Sequence, residues 1–277
     1  MNMNSQSGKQ EILAIIPARG GSKSLPRKNI ALMNGHPLIS YTIRQALDSK
    51  MITRVMVSTD DAEIAEIARR YGADVPFLRP AEIAGDLSVD VEYMRHALEW
   101  LAENEGYSPA AVVNLRPTEP MRRTATIDAA IRLLLNSSQA DCVRSVRIAK
   151  ESPFKMWLME EDGFMRPACV LEGVIEPYNQ PRQALPIAYW QDGYIDVTWT
   201  TTILNQNSTT GARVMPFEIT EQTINIDYPE ELTAAAAALD AAGILATLET
   251  NLVQALPQHS PSGPCSSHSP CTTRYPS

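Results

Sequence analysis

The stretch Arg54–Tyr71, RVMVSTDDAEIAEIARRY, decides the fold. It opens on the short apolar run Val55–Val57, and Ser58, Thr59, Asp60 and Asp61 follow. An apolar run bounded by turn formers reads as a buried strand, and Ser, Thr and Asp ahead of a periodic segment read as a helix start. Residues 61–71 then put Ile64, Ile67 and Ala68 on one helical face, with acids in the first turn and Arg69 and Arg70 in the last. Both charge placements suit the helix dipole. The passage is one strand–helix unit.

The unit recurs on either side. EILAIIP at 11–17 is a buried strand ending in a turn signal, and Leu38, Ile39, Ile43, Ala46 and Leu47 lie at helical spacing within 38–49. Beyond it, 89–104 reads as a helix, AAVVNL at 110–115 as a strand, 124–136 as a helix and CVRSVRI at 142–148 as a strand. This alternation predicts an α/β fold: a mostly parallel sheet with helices on both faces and right-handed crossovers.

After about residue 150 the rhythm breaks. Residues 151–200 are rich in Pro, aromatic residues and short strand-like pieces (FKMWLM, AYW, YIDVTWTTTIL), the signature of a β-rich insertion. The rhythm resumes with the strand ARVMPFEIT and a closing helix at 229–248. The Pro/Ser-rich residues 257–277 and the polar residues 1–10 are expected to be disordered, since they offer too little apolar surface to offset ordering entropy. One domain at 11–250, carrying an insertion at 150–200, is the expected organisation.

Among 277 residues, Lys plus Arg is 24 and Asp plus Glu is 32, a net charge of −8. An acidic total argues against sequence-independent nucleic-acid binding, which needs a basic surface. No membrane span is expected, because the most apolar late stretch, Leu232–Leu248, is Ala-rich and carries Asp240. The first apolar run is interrupted by Pro17 and Arg19, unlike a secretory signal. Four cysteines without CxxC pairing fit a reducing, cytoplasmic setting.

Charge is locally inverted at the first turn. From Ile12 to Leu47 there is no Asp or Glu, yet Arg19, Lys23, Arg27, Lys28 and Arg44 fall there. Ligands of open α/β sheets bind at the carboxyl ends of strands, which is where PARGGSKSLPRKN lies. Gly20 and Gly21 lack a Cβ, so their N–H groups are expected to approach a phosphate, with Arg19, Lys23 and Lys28 adding charge-assisted hydrogen bonds. The competing reading is a solvated basic loop whose glycines only make a tight turn. Neither G-x4-G-K-[ST] nor G-x-G-x-x-G is present.

The run IIPARGGSKSLPRKNIALMNGHPLISYTI resembles the signature loop of the acylneuraminate cytidylyltransferase family, the CMP-sialic acid (CMP-nonulosonate) synthetases. The resemblance continues through VSTDDAEIAEIARRYGADVPFLRPAEIAGD, LRPTEPMR, YNQPRQALP and INIDYPEEL, covering about residues 11–240. It implies a three-layer, Rossmann-like nucleotidyltransferase. Such an enzyme transfers CMP from CTP to the anomeric hydroxyl of a 2-keto acid sugar and releases pyrophosphate. It also implies Mg²⁺ and a homodimer in which the insertion helps build the partner's sugar pocket.

Residue by residue, the resemblance assigns Arg19, Gly20, Gly21, Ser22, Lys23 and Lys28 to the triphosphate, with Arg19 and Lys28 essential. Attack at the α-phosphorus builds negative charge that fixed cations stabilise. Asn29 and Arg79 match the cytosine end, and Ser88 and Asp90 follow in the base-side loop; capping is the other reading of Asn29. Asp227 matches a metal-ligating aspartate, with Asn225 where the family usually has Asp, and Asp227 is equally placed to cap the last helix. Arg116, Thr118, Lys155, Arg182, Gln183, Asp192, Gly193 and Tyr194 match the sugar side. For Lys155 and Arg182, surface pairing with Glu151, Glu160, Glu172 or Glu176 is the alternative.

Besides Asn225, four positions depart from the family pattern. Arg116 adds a cation, Glu119 replaces a small hydroxyl, Asp192 stands where the family usually has Asn, and Asp196 adds a carboxylate that is expected to repel an acidic sugar or to bind its hydroxyl or amino groups or a metal. They leave the sugar open among sialic, legionaminic, pseudaminic and related acids. The alternatives are a related enzyme with another donor or acceptor (CMP-3-deoxy-octulosonate synthesis or a GTP-dependent sugar-phosphate enzyme) and a nonenzymatic nucleotide-sensing descendant. A hydrolase is not supported, because His36 and His96 lie away from any nucleophile-elbow sequence. A zinc site from His259, Cys265, His268 and Cys271 has the right ligand types but no common spacing.

Overall fold

A computed structural model describes residues 10–241. The expected disorder of the two ends, the zinc alternative and the closing helix past Ala241 lie outside the described residues. In chain order the elements are β1 (Ile12–Pro17), β2 (Leu32–Met33), β3 (His36–Pro37), α1 (Leu38–Leu47), β4 (Arg54–Ser58), α2 (Ala62–Arg70), α3 (Asp90–Glu105), β5 (Ala111–Asn114) and α4 (Thr124–Leu135). Then follow β6 (Cys142–Ile148), β7 (Trp157–Met159), β8 (Met165–Pro167), β9 (Tyr189–Trp199), α5 (Thr200–Gln206), β10 (Val214–Glu218) and α6 (Pro229–Ala241).

The central sheet has the order β10-β6-β9-β5-β1-β4. β1 runs parallel to β4 and β5, and β10 parallel to β6, whereas β9 is antiparallel to both of its neighbours. Side chains alternate across a strand, so β1 feeds both faces. Ile12, Ala14 and Ile16 pack against α1, α2 and α4 through Ile39, Ile43, Ile64, Ile127 and Ile131. Leu13 and Ile15 pack on the other face against Met94, Leu98 and Leu101 of α3 and Ile203 of α5. This two-sided burial is why β1 reads as an unbroken apolar run.

The start of α2 forms as its sequence requires. The Asp61 carboxylate accepts the N–H groups of Glu63 at 2.9 Å and Ile64 at 3.0 Å. α6 starts differently: Glu231 accepts the N–H groups of Asp227 (2.6 Å) and Tyr228 (2.9 Å). Capping therefore falls to Glu231, and the Asp227 carboxylate is left for other partners.

One expectation is corrected. The insertion was bounded at 150–200, but Tyr189–Trp199 is β9, an 11-residue strand in the middle of the sheet, and α5 follows it. The insertion proper is residues 149–188, with the β7–β8 hairpin as its regular element. Local sequence does not mark β9 as central, because the buried Asp196, only 2% exposed, interrupts its otherwise apolar inner half. Its carboxylate meets Arg144 at 2.9 and 3.3 Å and Arg116 at 3.5 Å. It is an internal counter-ion, neither a free repeller of acidic sugars nor a metal ligand.

Removing one partner of a buried ion pair strands the other charge, at about 3–5 kcal/mol. Asp196→Asn is accordingly expected to lower the unfolding free energy obtained from a urea titration by an amount in that range, read as a fall in the midpoint. A midpoint within error of wild type would show that Arg144 and Arg116 find other partners.

Candidate active site

The parallel strands β1, β4 and β5 all end at one edge of the sheet, and the site is built there. A cavity of about 240 Å³ is lined by Pro17, Arg19, Asn29, Arg79, Gly85, Asp86, Ser88, Asp90, Tyr93, Arg116, Pro117 and Thr118. It gathers residues that span a hundred positions of sequence, from the end of β1 and its loop, the α2–α3 connection, the start of α3 and the turn after β5.

The loop after β1 is fastened from several sides. Asn29 is buried and donates its Nδ2 to the Arg19 carbonyl at 3.0 Å, closing the loop on itself. Gly20 donates its N–H to Asp60 Oδ1 at 2.9 Å. A Cβ on Gly20 would stand 2.7 Å from Asp61 Oδ2, so glycine is required by the approach of α2. In this structure the Gly20 N–H expected to approach a phosphate is directed at Asp60. Gly21 and Ser22 lie on the outer part of the loop, outside the cavity lining.

Each cation of the loop meets a carboxylate. Arg19 Nη1 is 2.7 Å from Asp86 Oδ1, and Lys23 reaches the other oxygen of the same group. Those two charges hold the Asp86 carboxyl below its ordinary range. Arg27 pairs with Asp61 and Glu63, and Lys28 Nζ lies 2.8 Å from Asp227 Oδ1. Asn225 donates its Nδ2 to Asp227 Oδ2 at 2.7 Å. Asn225 thereby orients the carboxylate, while Asp227 keeps nearly half of its side chain exposed.

The base-side half is more buried. Arg79, 6% exposed, donates to Ser58 Oγ at 3.0 Å and to the Ser58 carbonyl, and its guanidinium sits 4.7 Å above the Tyr93 ring. Burial pulls its pKa below the ordinary guanidinium value. Ser88 Oγ accepts the Gly85 N–H at 3.0 Å, shaping the loop that carries Asp86. Asp90 is paired with Arg116 and accepts Asn114 Nδ2 at 3.3 Å.

The sugar-side assignments divide. Arg116 and Thr118 fall in the same cavity as the base-side residues. Asp192 and Asn225 line a second, larger cavity of about 820 Å³, together with Glu119, Arg147, Lys150, Met156, Trp190 and Thr223 among others. Ser145 Oγ donates to Asp192 Oδ1 at 2.6 Å, and Arg147 Nε lies 3.1 Å from Oδ2. Gly193 adopts φ +76°, and a Cβ there would lie 3.8 Å from Arg116 Nη1. Tyr194 is corrected: it is fully buried, its hydroxyl donating to Glu221 at 2.7 Å and accepting the Arg123 N–H at 2.7 Å.

Lys155, Arg182 and Gln183 sit on two short turns of the insertion, Pro153–Lys155 and Arg182–Ala184. Lys155 Nζ donates to the Tyr178 carbonyl at 3.1 Å and Arg182 to the Ala149 carbonyl at 3.3 Å. None of the three lines either cavity. His36 lies 3.3 Å from the Tyr71 hydroxyl, and His96 packs edge-on against Phe77.

Sequence reasoning missed Asp86 and Tyr93, which carry no chemical motif of their own. Asp86 was findable as the one acid in the AGD turn facing a cationic loop.

The profile of a family described as Cytidylyltransferase matches residues 13–156, just over half of the chain. The chain belongs to that family. Among curated relatives, the Escherichia coli N-acylneuraminate cytidylyltransferase is 40% identical over 136 residues, covering 49% of this cytidylyltransferase and 31% of the relative. The CMP-N,N'-diacetyllegionaminic acid synthase of Legionella pneumophila is 43% identical over 122 residues, covering 44% and 52%. The pseudaminic acid cytidylyltransferase of Campylobacter jejuni is 47% identical over 96 residues, covering 34% and 41%. The matched part is thus about a third to a half of these relatives' length. A solved CMP:2-keto-3-deoxy-manno-octonic acid synthetase complexed with CTP shares the fold at TM-score 0.61 and 17% identity, covering 84% of this chain and 99% of that one.

Glu119 is the most perturbed acid of the site. Burial is the main cause that pushes its carboxyl up to about 7; Arg122 and Arg147 oppose this and Asp192 adds to it. A carboxyl with its folded value above its unfolded one binds more protons when folded, so stability falls as pH rises from about 4.5 to about 7. Glu119→Gln does not titrate. Its melting temperature should match wild type at pH 5 and exceed it at pH 8; a pH-independent difference would refute the assignment.

Proposed function

We propose that the chain activates a nonulosonic acid with CTP, joining CMP to the sugar's anomeric hydroxyl and releasing pyrophosphate. The observation that carries this reading is the cationic loop at the end of β1, set in one cavity with Arg79, Ser88 and Arg116. Relatives named for N-acylneuraminate, legionaminate and pseudaminate chemistry support the acceptor class.

The loop's ion pairs suggest how nucleotide enters. Arg19 and Lys23 exchange the exposed Asp86 carboxylate for phosphate oxygens, which carry more charge and offer more acceptors. Lys28 is held by Asp227 beside the same loop and turns to the departing pyrophosphate. Asn29 and Arg79 face the cytosine end. Fixed cations that meet charge as it grows at the α-phosphorus lower the barrier without reorganising.

Mg²⁺ fits the residues present. Asp227 supplies one accessible hard oxygen ligand, and Mg²⁺ is ordinarily held by one or two carboxylates together with substrate phosphates. No group of three or more His, Cys, Asp or Glu forms a ready metal cage among the described residues. When bound, the ion neutralises phosphate charge. Asn225 orients the Asp227 carboxylate for it.

The insertion supports a homodimer. Leu158, Met159, Phe164, Met165, Val170 and Ile175 are all exposed on it. An apolar group of this kind is the usual mark of an association surface. No helix among the described residues is long and apolar enough to cross a membrane.

Arg19→Ala and Lys28→Ala are each expected to lower kcat for pyrophosphate release by about 10²-fold or more, with unchanged circular dichroism. Turnover at the wild-type rate in both would remove the loop from the mechanism. The dimer is checked by sedimentation equilibrium, where a monomer at assay concentration would contradict it. GTP supporting turnover in place of CTP would favour the sugar-phosphate alternative.

A further inference from the structure

The loop Leu115–Arg122 is the wall between the two cavities. Arg116, Pro117 and Thr118 face the smaller one, while Glu119 and Met121 face the larger. The loop is pinned to the segment carrying Asp227, since the Ile226 N–H donates to the Thr118 carbonyl at 2.9 Å. Glu119 is 2% exposed, and its Oε2 has no hydrogen-bond partner among the described residues. Buried polar atoms are nearly always paired, because an orphaned one keeps its full desolvation cost.

Arg122, Arg147 and Thr223 favour the charged form of Glu119, yet none of them hydrogen-bonds to Oε2. Arg147 is already committed to the Ile219 carbonyl at 3.1 Å, Thr223 Oγ1 at 2.9 Å and Asp192. Arg122 is held by the Tyr194 and Arg116 carbonyls and Gln45. Asp192, in the same cavity, is by contrast satisfied: Ser145 Oγ donates to Oδ1 at 2.6 Å and Arg147 Nε lies 3.1 Å from Oδ2. The remaining wall, with Ile148, Met156 and Trp190, is apolar, and Lys150 adds a cation. The cavity therefore suits a molecule with an apolar ring face, one acidic group and an N–H or O–H group directed at Glu119.

We propose that Glu119 is a specificity-determining contact, receiving an N–H or O–H donor from a polar ring substituent of the 2-keto acid sugar seated in the larger cavity. The proposal rests on the cytidyl-transfer reading. It makes the departure from the family's small hydroxyl a selector of acceptor: a sugar that presents a donor removes the cost of the unpaired oxygen, and one that does not leaves it in place.

The test is pyrophosphate-release kinetics of the full chain at saturating CTP. The acceptors are N-acetylneuraminate, its analogue with a hydroxyl in place of the acetamido group, and N,N'-diacetyllegionaminate. Glu119→Ala should raise KM for the best acceptor about tenfold, with kcat and the KM for CTP little changed, as loss of a ground-state contact requires. Glu119→Gln keeps an acceptor oxygen and the fold, and should recover most of that loss while changing the order of preference. Unchanged acceptor KM and unchanged preference in both variants would overturn the proposal and assign the Glu119 oxygen to buried water. Wild type that turns over none of these acceptors would overturn the cytidyl-transfer reading together with this one.

Discussion

A loop with four cations between Arg19 and Lys28 holds its shape because each cation meets a carboxylate brought in from elsewhere. Asp61 and Glu63 come from the start of α2, Asp86 from the loop before α3, and Asp227 from the approach to α6. Without them, like charges this close would drive the loop open. With them, the cations stand in place before any anion arrives. Arg27 is held by Asp61, the least exposed of these acids, whereas Arg19, Lys23 and Lys28 are held only by Asp86 and Asp227, each with more than two-fifths of its side chain exposed.

The sheet supplies the frame for that arrangement. Side-by-side endings of β1, β4 and β5 bring the cationic loop, Arg79 and the Arg116–Thr118 turn together. The antiparallel β9 then places Asp192 and Trp190 beside Arg147 and Ile148 of β6. One edge therefore carries two cavities, and the Leu115–Arg122 loop stands between them. Two adjoining cavities fit the proposed two-substrate reaction, whose reacting atoms must come within about 3–3.5 Å of each other.

The buried charges have a different function. Asp196 with Arg144 and Arg116, and Tyr194 with Glu221 and the Arg123 N–H, lock β9 against the cavity wall. Ion pairs of this kind contribute little net stability but are costly to break. Their consequence is register: β9 cannot slide without stranding Asp196, so Asp192 and Gly193 stay beside Arg147 and Arg116.

Local signals determined much of this molecule. Apolar runs and the 3.6-residue period located β1, β4, β5, β6 and the helices between them, since those features follow from which side chains a strand or helix must bury. The acid-free span from Ile12 to Leu47 located the cationic loop after β1 for the same local reason. Tertiary structure alone decided the rest. That β9 enters the sheet's centre, that Asp196 is a buried counter-ion, that Gly20 turns its N–H to Asp60, and that Arg116 shares a cavity with Arg79 all depend on partners far along the chain. Burial and charge pairing are properties of the surroundings, and a side chain's surroundings exist only once the chain has folded.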